Sequence, residues 1–258
     1  MSVSGSYATD SWCTCLEFDS AARYAFVGDF SGSVLVLRIQ DSKCELVSKL
    51  SAHTGSVRSL AWDAERQLLF SGSFDQLIIV WDIGGKKGTA YELTGHRSKV
   101  TSLVYAAGKK CLLSGSDNGD LVCWDMTAAR QETPEWLSSD TCQRCDTPFF
   151  WNFKAMWDKK VVGMRQHHCR LCGQAVCAPC SAHKTCYPRM GYELEVRICD
   201  GCHRTMQEDT QLDLKALASL HQTKHAVQLM CLNEMNGRLI TVGTDRAVKI
   251  WDVKALLR

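Results

Sequence analysis

The sequence predicts a mainly β chain: an open arc of about four propeller blades, interrupted by a small cross-braced cysteine-rich module. Two observations predict it. Trp-Asp dipeptides at Trp81-Asp82, Trp124-Asp125 and Trp251-Asp252 mark a repeat, and both Trp81 to Trp124 and His53 to His96 are 43 residues apart. That period lies in the ~40–45 range of propeller blades. Between the second and third dipeptides stand four CxxC pairs, Cys142/Cys145, Cys169/Cys172, Cys177/Cys180 and Cys199/Cys202.

The repeat copies read as strands in order. Residues 56–83 and 99–126 each hold three short runs of β-formers separated by Gly, Ser, Asp and Asn turn residues. An earlier copy, 11–39, keeps this rhythm with Leu37-Arg38 where Trp-Asp would fall, and a last copy, 225–253, follows the cysteine segment. The expected organisation is 1–130 for three copies, 136–206 for the cysteine module and 212–258 for the final blade. Met1 stands just before a strand of the first copy, so earlier blades read as absent and the arc as unable to close on itself.

These copies resemble WD40 repeats. In that family a His, a strand Ser or Thr, a turn Asp and the Trp form a hydrogen-bonded set that locks each blade. The resemblance assigns those roles to His53, Ser71, Asp75 and Trp81. In the next copy it assigns them to His96, Ser114 and Trp124, with the turn reading Asp117-Asn118. In the last copy Asp245 and Trp251 remain, and Thr223 falls where the His is expected.

Bulk properties narrow the function. Thirty basic against 28 acidic residues argues against a general nucleic-acid binder, whose affinity rests on phosphate neutralisation. No apolar stretch approaches the ~20 residues that span a bilayer, and MSVSGSYATD lacks the basic and apolar regions of a signal peptide. The chain therefore reads as cytosolic, where paired CxxC means metal rather than disulfide. Eight cysteines in four pairs fit two structural Zn²⁺ with no ligand left over, and closed thiolate shells leave no open position for catalysis. No nucleophile–base constellation or P-loop is present, so no enzyme is expected.

Only four residues separate the second and third pairs, too few for two independent zinc ribbons. Interleaving suits the spacing better: Cys142, Cys145, Cys177 and Cys180 on one zinc, and Cys169, Cys172, Cys199 and Cys202 on the other. With Arg165-Gln-His-His-Cys-Arg170 and Arg197-Ile-Cys199, this pattern resembles the FYVE zinc finger. The family's N-terminal WxxD element is degenerate here, Trp136-Leu-Ser-Ser139 with Asp140 one residue late. The alternative, a RING ubiquitin-ligase module beside a WD40 substrate receptor, normally has a His ligand and lacks RxHHCR.

The resemblance implies binding of phosphatidylinositol 3-phosphate. A phosphomonoester calls for forked, charge-assisted donors, which Arg165, Arg170 and Arg197 supply; His167 and His168 can bond the phosphate and the inositol hydroxyls, and Asp140 can accept from hydroxyls. Family members carry a hydrophobic turret that enters the bilayer, expected at Val161, Val162 and Met164. The aromatics of Phe149-Phe-Trp-Asn-Phe153 and Trp157 are expected to pack against the zinc core or the propeller. A finger set before the last blade resembles the small WD-repeat and FYVE-domain proteins of early endosomes. Those proteins are adaptors, with the finger on the cytosolic face of the membrane and the blades on protein partners.

Overall fold

The computed structural model describes residues 3–85, 88–209 and 211–257. The chain forms two compact units, Met1–Ala129 with Leu217–Arg258, and Arg130–Ala216.

The first unit consists of antiparallel sheets. The first sheet takes Cys13–Asp19, Tyr24–Asp29, Ser33–Ile39 and Cys44–Ser51 in sequence order, and the second takes Val57–Asp63, Leu68–Ser73, Ile78–Asp82 and Gly88–Leu93. Whereas Arg238–Gly243 of the last sheet alternates exposed and buried residues, the middle strands of the first three sheets are largely buried on both faces, as in LLFSGS and CLLSGS. Such strands bury both faces only between neighbouring sheets, which is why blades stack. Val57–Asp63 packs against Cys13–Asp19, Val100–Ala106 against Val57–Asp63, and Val227–Asn233 against Val100–Ala106.

Three apolar clusters fill the successive gaps, centred on Phe26 with Trp81, Phe70 with Trp124, and Leu113 with Leu239. Glycine is required at the seams. A Cβ on Gly28, Gly72 or Gly115 would sit 2.7, 2.7 or 2.8 Å from Cγ1 of Val57, Val100 or Val227, the first residue or residues of the next blade's inner strand. Polar bonds repeat at the same seams: Trp62 Nε1 donates to Asp19 at 3.0 Å, and the Tyr105 hydroxyl to Asp63 at 2.7 Å.

The arc is open. Among the described residues the last sheet does not pack on the first. The two outer faces expose Trp12, Leu16 and Phe18 at one end and Leu229, Val248 and Ile250 at the other.

The third sheet departs from the expected organisation. Its strands Val100–Ala106, Cys111–Ser116 and Asp120–Asp125 are completed by Ala218–Gln222, which pairs with Asp120–Asp125 from Trp124↔Ala218 to Asp120↔Gln222. The segment 212–258, expected as the final blade, thus gives its first strand to the third one. The last sheet has three strands, Val227–Asn233, Arg238–Gly243 and Val248–Asp252. The finger is inserted within the third sheet, before its outermost strand. The physical reason is edge pairing: Asp120–Asp125 would otherwise leave a row of backbone groups unpaired.

The second unit has little regular structure. Two short antiparallel pairs, His167–His168 with Ala175–Val176 and Lys184–Tyr187 with Tyr192–Arg197, accompany helices α1 (Phe153–Lys159) and α2 (Asp200–Glu208). Its core is made of Phe149, Ala175, Val176 and Ile198 with the buried cysteines. Among the described residues no helix is long and apolar enough to cross a membrane.

Candidate functional site: a two-zinc finger with a basic strand

The eight CxxC cysteines gather into two groups, Cys142, Cys145, Cys177 and Cys180, and Cys169, Cys172, Cys199 and Cys202, with all four Sγ atoms of each group within 4.8 Å of one another. A tetrahedral thiolate shell with Zn–S of ~2.3 Å has edges of ~3.8 Å. The observed Sγ separations of 3.6 Å for Cys145–Cys177, 3.7 Å for Cys169–Cys202 and 3.9 Å for Cys172–Cys199 match it. All eight donors are thiols, so each group is a closed shell for one structural Zn²⁺.

Backbone N–H groups support the sulfurs. Cys177 N–H points to Cys142 Sγ at 3.3 Å, and Cys199 N–H to Cys169 Sγ at 3.2 Å. The neighbouring Cys202 sulfur, and then the N–H groups of Cys199, Cys172 and Leu171, hold the Cys169 thiol below its usual value against its burial. Such bonds favour the thiolate that zinc requires.

The zinc-supported strand His167–His168 carries the basic motif. Burial holds the His167 imidazole below its usual value, and the charges of Arg197, Arg165, Arg170 and His168 act in the same direction. Three guanidinium groups thus stand around one imidazole. Arg170 N–H bonds the Arg197 carbonyl at 3.0 Å, joining the two motif segments. Arg197 Nη1 donates to the Ser181 carbonyl at 2.7 Å, which anchors its guanidinium at one edge.

Trp136 has a role that the sequence reading missed. Its ring stacks on His168 at 4.6 Å with 12° between planes, and the Arg170 guanidinium lies 4.6 Å from its centroid. His168 Nε2 lies 3.3 Å from the Leu137 carbonyl. The signal was present in the degenerate WxxD element, whose Trp orients the basic side chains.

Two expectations are corrected here, on the turret and on the aromatics. Asp140, expected as an acceptor for hydroxyls, is exposed; its Oδ1 accepts from Trp151 Nε1 at 2.9 Å, and its carbonyl from Phe149 N–H at 3.0 Å. Val161 and Val162 are exposed, whereas Met164 is half-buried against the zinc core, its N–H bonded to the Pro148 carbonyl at 2.9 Å. Of the aromatics expected to pack inward, Phe149 is buried and the half-exposed Trp151 ring rests 5.3 Å from it, while Phe150, Phe153 and Trp157 are exposed, the last two on α1, which buries none of its residues.

The blade-locking residues form graded sets. His53 bonds Asp75 at 2.9 Å and Ser71 at 2.8 Å, and Trp81 Nε1 donates to Ser71 at 2.8 Å. Burial raises the Asp75 carboxyl, but the His53 hydrogen bond and charge carry it below the usual range. In the third sheet His96 Nε2 bonds Ser114 at 2.6 Å and Trp124 Nε1 donates to Ser114 at 2.8 Å, while the buried His96 Nδ1 has no partner among the described residues.

In the last sheet the histidine is His225, two residues beyond the expected Thr223. Its Nδ1 bonds Asp245 at 2.7 Å, a bond that leads in bringing that carboxyl down to about 2. Trp251 Nε1 donates separately to Thr241 at 2.9 Å. Thr223 instead bonds the Gly119 carbonyl at 2.7 Å, next to the finger-closing strand. His225 was missed because the position was counted back 28 residues from Trp251, whereas this copy has one residue between His225 and Val227 where the earlier copy has three between His53 and Val57.

Comparison with known proteins agrees with these parts. The FYVE zinc finger model matches residues 135–208, and the WD domain, G-beta repeat model matches 44–82 and 88–125. Each matched repeat begins on the outer strand of the preceding sheet. The chain is 54% identical over 249 residues to WD repeat and FYVE domain-containing protein 2 of Homo sapiens, covering 96% of this chain and 62% of that protein. With protein 2 of Caenorhabditis elegans it shares 51% identity over 253 residues, covering 98% and 60% respectively. The chain thus spans about three-fifths of the length of these relatives. Among solved structures, the computationally designed Ika4 protein is similar with a TM-score of 0.51 at 18% identity, covering 98% of both chains, a likeness of fold alone.

Proposed function

We propose that this chain, which belongs to the WD repeat and FYVE domain-containing proteins, docks on membranes carrying phosphatidylinositol 3-phosphate through its finger and holds protein partners on its blades. The observation that carries this is the convergence of Arg165, Arg170 and Arg197 on the strand His167–His168, set between two thiolate shells. A phosphomonoester near two negative charges relieves the mutual repulsion of these groups, and forked guanidinium donors suit its geometry.

In this reading the zinc ions are structural. They fix the finger so that the basic groups are held in place before the ligand arrives, and all chemistry at the membrane is binding. Val161 and Val162, exposed beside the motif, enter the apolar layer, each worth ~1.5–3 kcal/mol if fully buried. The adaptor works on the cytosolic face of early endosomes, where that lipid would recruit it. Sheets with exposed rims offer surfaces for protein ligands.

Vesicle sedimentation with phosphatidylinositol 3-, 4- and 5-phosphates tests the reading. Binding is expected to the 3-phosphate above the other two. Equal binding to all three, or none, would overturn the headgroup assignment.

A further inference from the structure

Helix α1 sits in the loop between Cys145 and Arg165, and its own packing does not account for it. It is seven residues long and buries no side chain. Isolated helices shorter than ~12–15 residues are marginal in water, so this one depends on its caps. Asn152 accepts from the Ala155 N–H at 3.1 Å, and Lys160 closes the other end in the left-handed conformation. Two side chains tie the helix down: Met156, with its sulfur 2.9 Å from the Gly163 N–H, where a Cβ would collide at 2.6 Å, and Lys159, whose Nζ donates to the Asp146 carbonyl at 2.6 Å.

The rest of the helix presents apolar surface. Phe153 is 72% exposed and Trp157, one helical turn later, 85%; residues at i and i+4 share a face. Val161 and Val162 follow directly, and with Met156, Trp157 and Lys160 they line one open apolar groove of about 420 Å³. Lysines frame this surface: Lys154, Lys159 and Lys160 stand against the single acid Asp158 between 153 and 162. Tryptophan with lysine around an aliphatic tip is the composition that settles at a membrane interface. The segment runs on through Val161 and Val162 into Arg165 of the basic motif, which favours one bilayer over a separate acidic protein groove as the occupant.

We infer that α1 is a second membrane prong: Phe153 and Trp157 enter the headgroup–acyl boundary of an anionic bilayer beside Val161 and Val162, with Lys154 and Lys160 against anionic headgroups. This rests on the headgroup reading above and extends it, because the prong lies on the same loop that leads into Arg165. The occupant is the lipid interface itself, so the prong adds affinity for bilayers without touching the phosphoinositide.

The test uses the full chain, zinc-loaded, with two probes. One is vesicles of phosphatidylcholine, phosphatidylserine and phosphatidylinositol 3-phosphate; the other is soluble short-chain phosphatidylinositol 3-phosphate. The Phe153→Ser/Trp157→Ser variant is expected to bind vesicles ~10–100-fold more weakly, the loss expected for two interfacial aromatics, with binding of the soluble lipid unchanged. Should the wild-type chain fail to bind the soluble lipid, the headgroup reading falls. Should it bind, and the variant hold vesicles as tightly as wild type, the prong falls alone and the face belongs to a protein ligand. A second measurement covers a variant that misfolds: bromine-labelled acyl chains are expected to quench wild-type fluorescence more than that of Trp157→Phe, and equal quenching would overturn the insertion.

Discussion

The N–H of Asp125 donates to the carbonyl of Leu217 at 2.9 Å, although the whole finger unit, Arg130–Ala216, lies between them in sequence. With Trp124 paired to Ala218, the two ends of the insertion stand on adjacent strands of one sheet. A sheet that closes around an insertion in this way needs nothing from it except that its ends meet. Adjacent antiparallel strands are normally joined by a hairpin of a few residues.

Replacing Arg130–Ala216 by a short Gly- and Asn-containing turn is therefore expected to leave the blade unit folded. Far-ultraviolet circular dichroism should keep its β signal, and the thermal midpoint should stay within ~5 °C of the parent blade transition. Loss of the transition would show that the third sheet depends on the finger for more than connectivity.

Zinc removal should do the reverse. The finger's core is largely its own ligand cysteines around Phe149, Val176 and Ile198, and binding free energy at such sites is folding free energy. Chelation is expected to release two zinc per chain and expose amides of residues 136–206 to hydrogen exchange, while the strands from Cys13 to Asp125 stay protected. Protection lost equally in both units would refute the independence of the two.

Trp136 carries a separate expectation, because it touches both His168 and Arg170 without ligating metal. A cation over an indole face is worth ~0.5–2 kcal/mol. Trp136→Ala should weaken binding of soluble phosphatidylinositol 3-phosphate by ~3–30-fold with two zinc retained, and Trp136→Phe should recover part of it. Full affinity in the alanine variant would leave Trp136 as surface packing only.

Spacing made the periodic parts of this protein legible. The 43-residue interval located His53, Ser71, Asp75 and Trp81, whose bonds depend on nearby strands of one blade. The CxxC spacing likewise carried both cysteine groups. What stayed hidden depended on contacts between segments far apart in sequence. Ala218–Gln222 reads as the start of a last copy, and only its pairing with Asp120–Asp125 assigns it to the third sheet. A loop two residues shorter between His225 and Val227 than between His53 and Val57 hid His225 behind Thr223. The exposed aromatics of α1 were hidden for another reason: apolar residues in a small domain imply a core, and burial is not written in composition.

The unequal locks also predict a pH dependence in the third sheet. His96 is buried, and burial brings its imidazole down to about 4, with the Asp120 charge opposing this only in part. In the unfolded chain the same side chain titrates near ~6.5. Above pH ~6.5 it is neutral in both states, so its full contribution is present. As the pH falls from ~6.5 towards 4, the unfolded chain takes up a proton that the folded one refuses, and stability drops by up to ~3 kcal/mol in total. His96→Gln keeps a polar partner for Ser114 and removes the titration. Urea unfolding of both proteins at pH 7 and pH 4.5 is expected to show a fall that is ~2–3 kcal/mol smaller in the variant. Carboxylates and zinc ligands remote from His96 titrate alike in both proteins and cancel in that difference, and Asp120, which faces His96, is part of the effect measured. An equal fall in the two would mean that the His96 site opens to solvent and takes up its proton without unfolding the sheet.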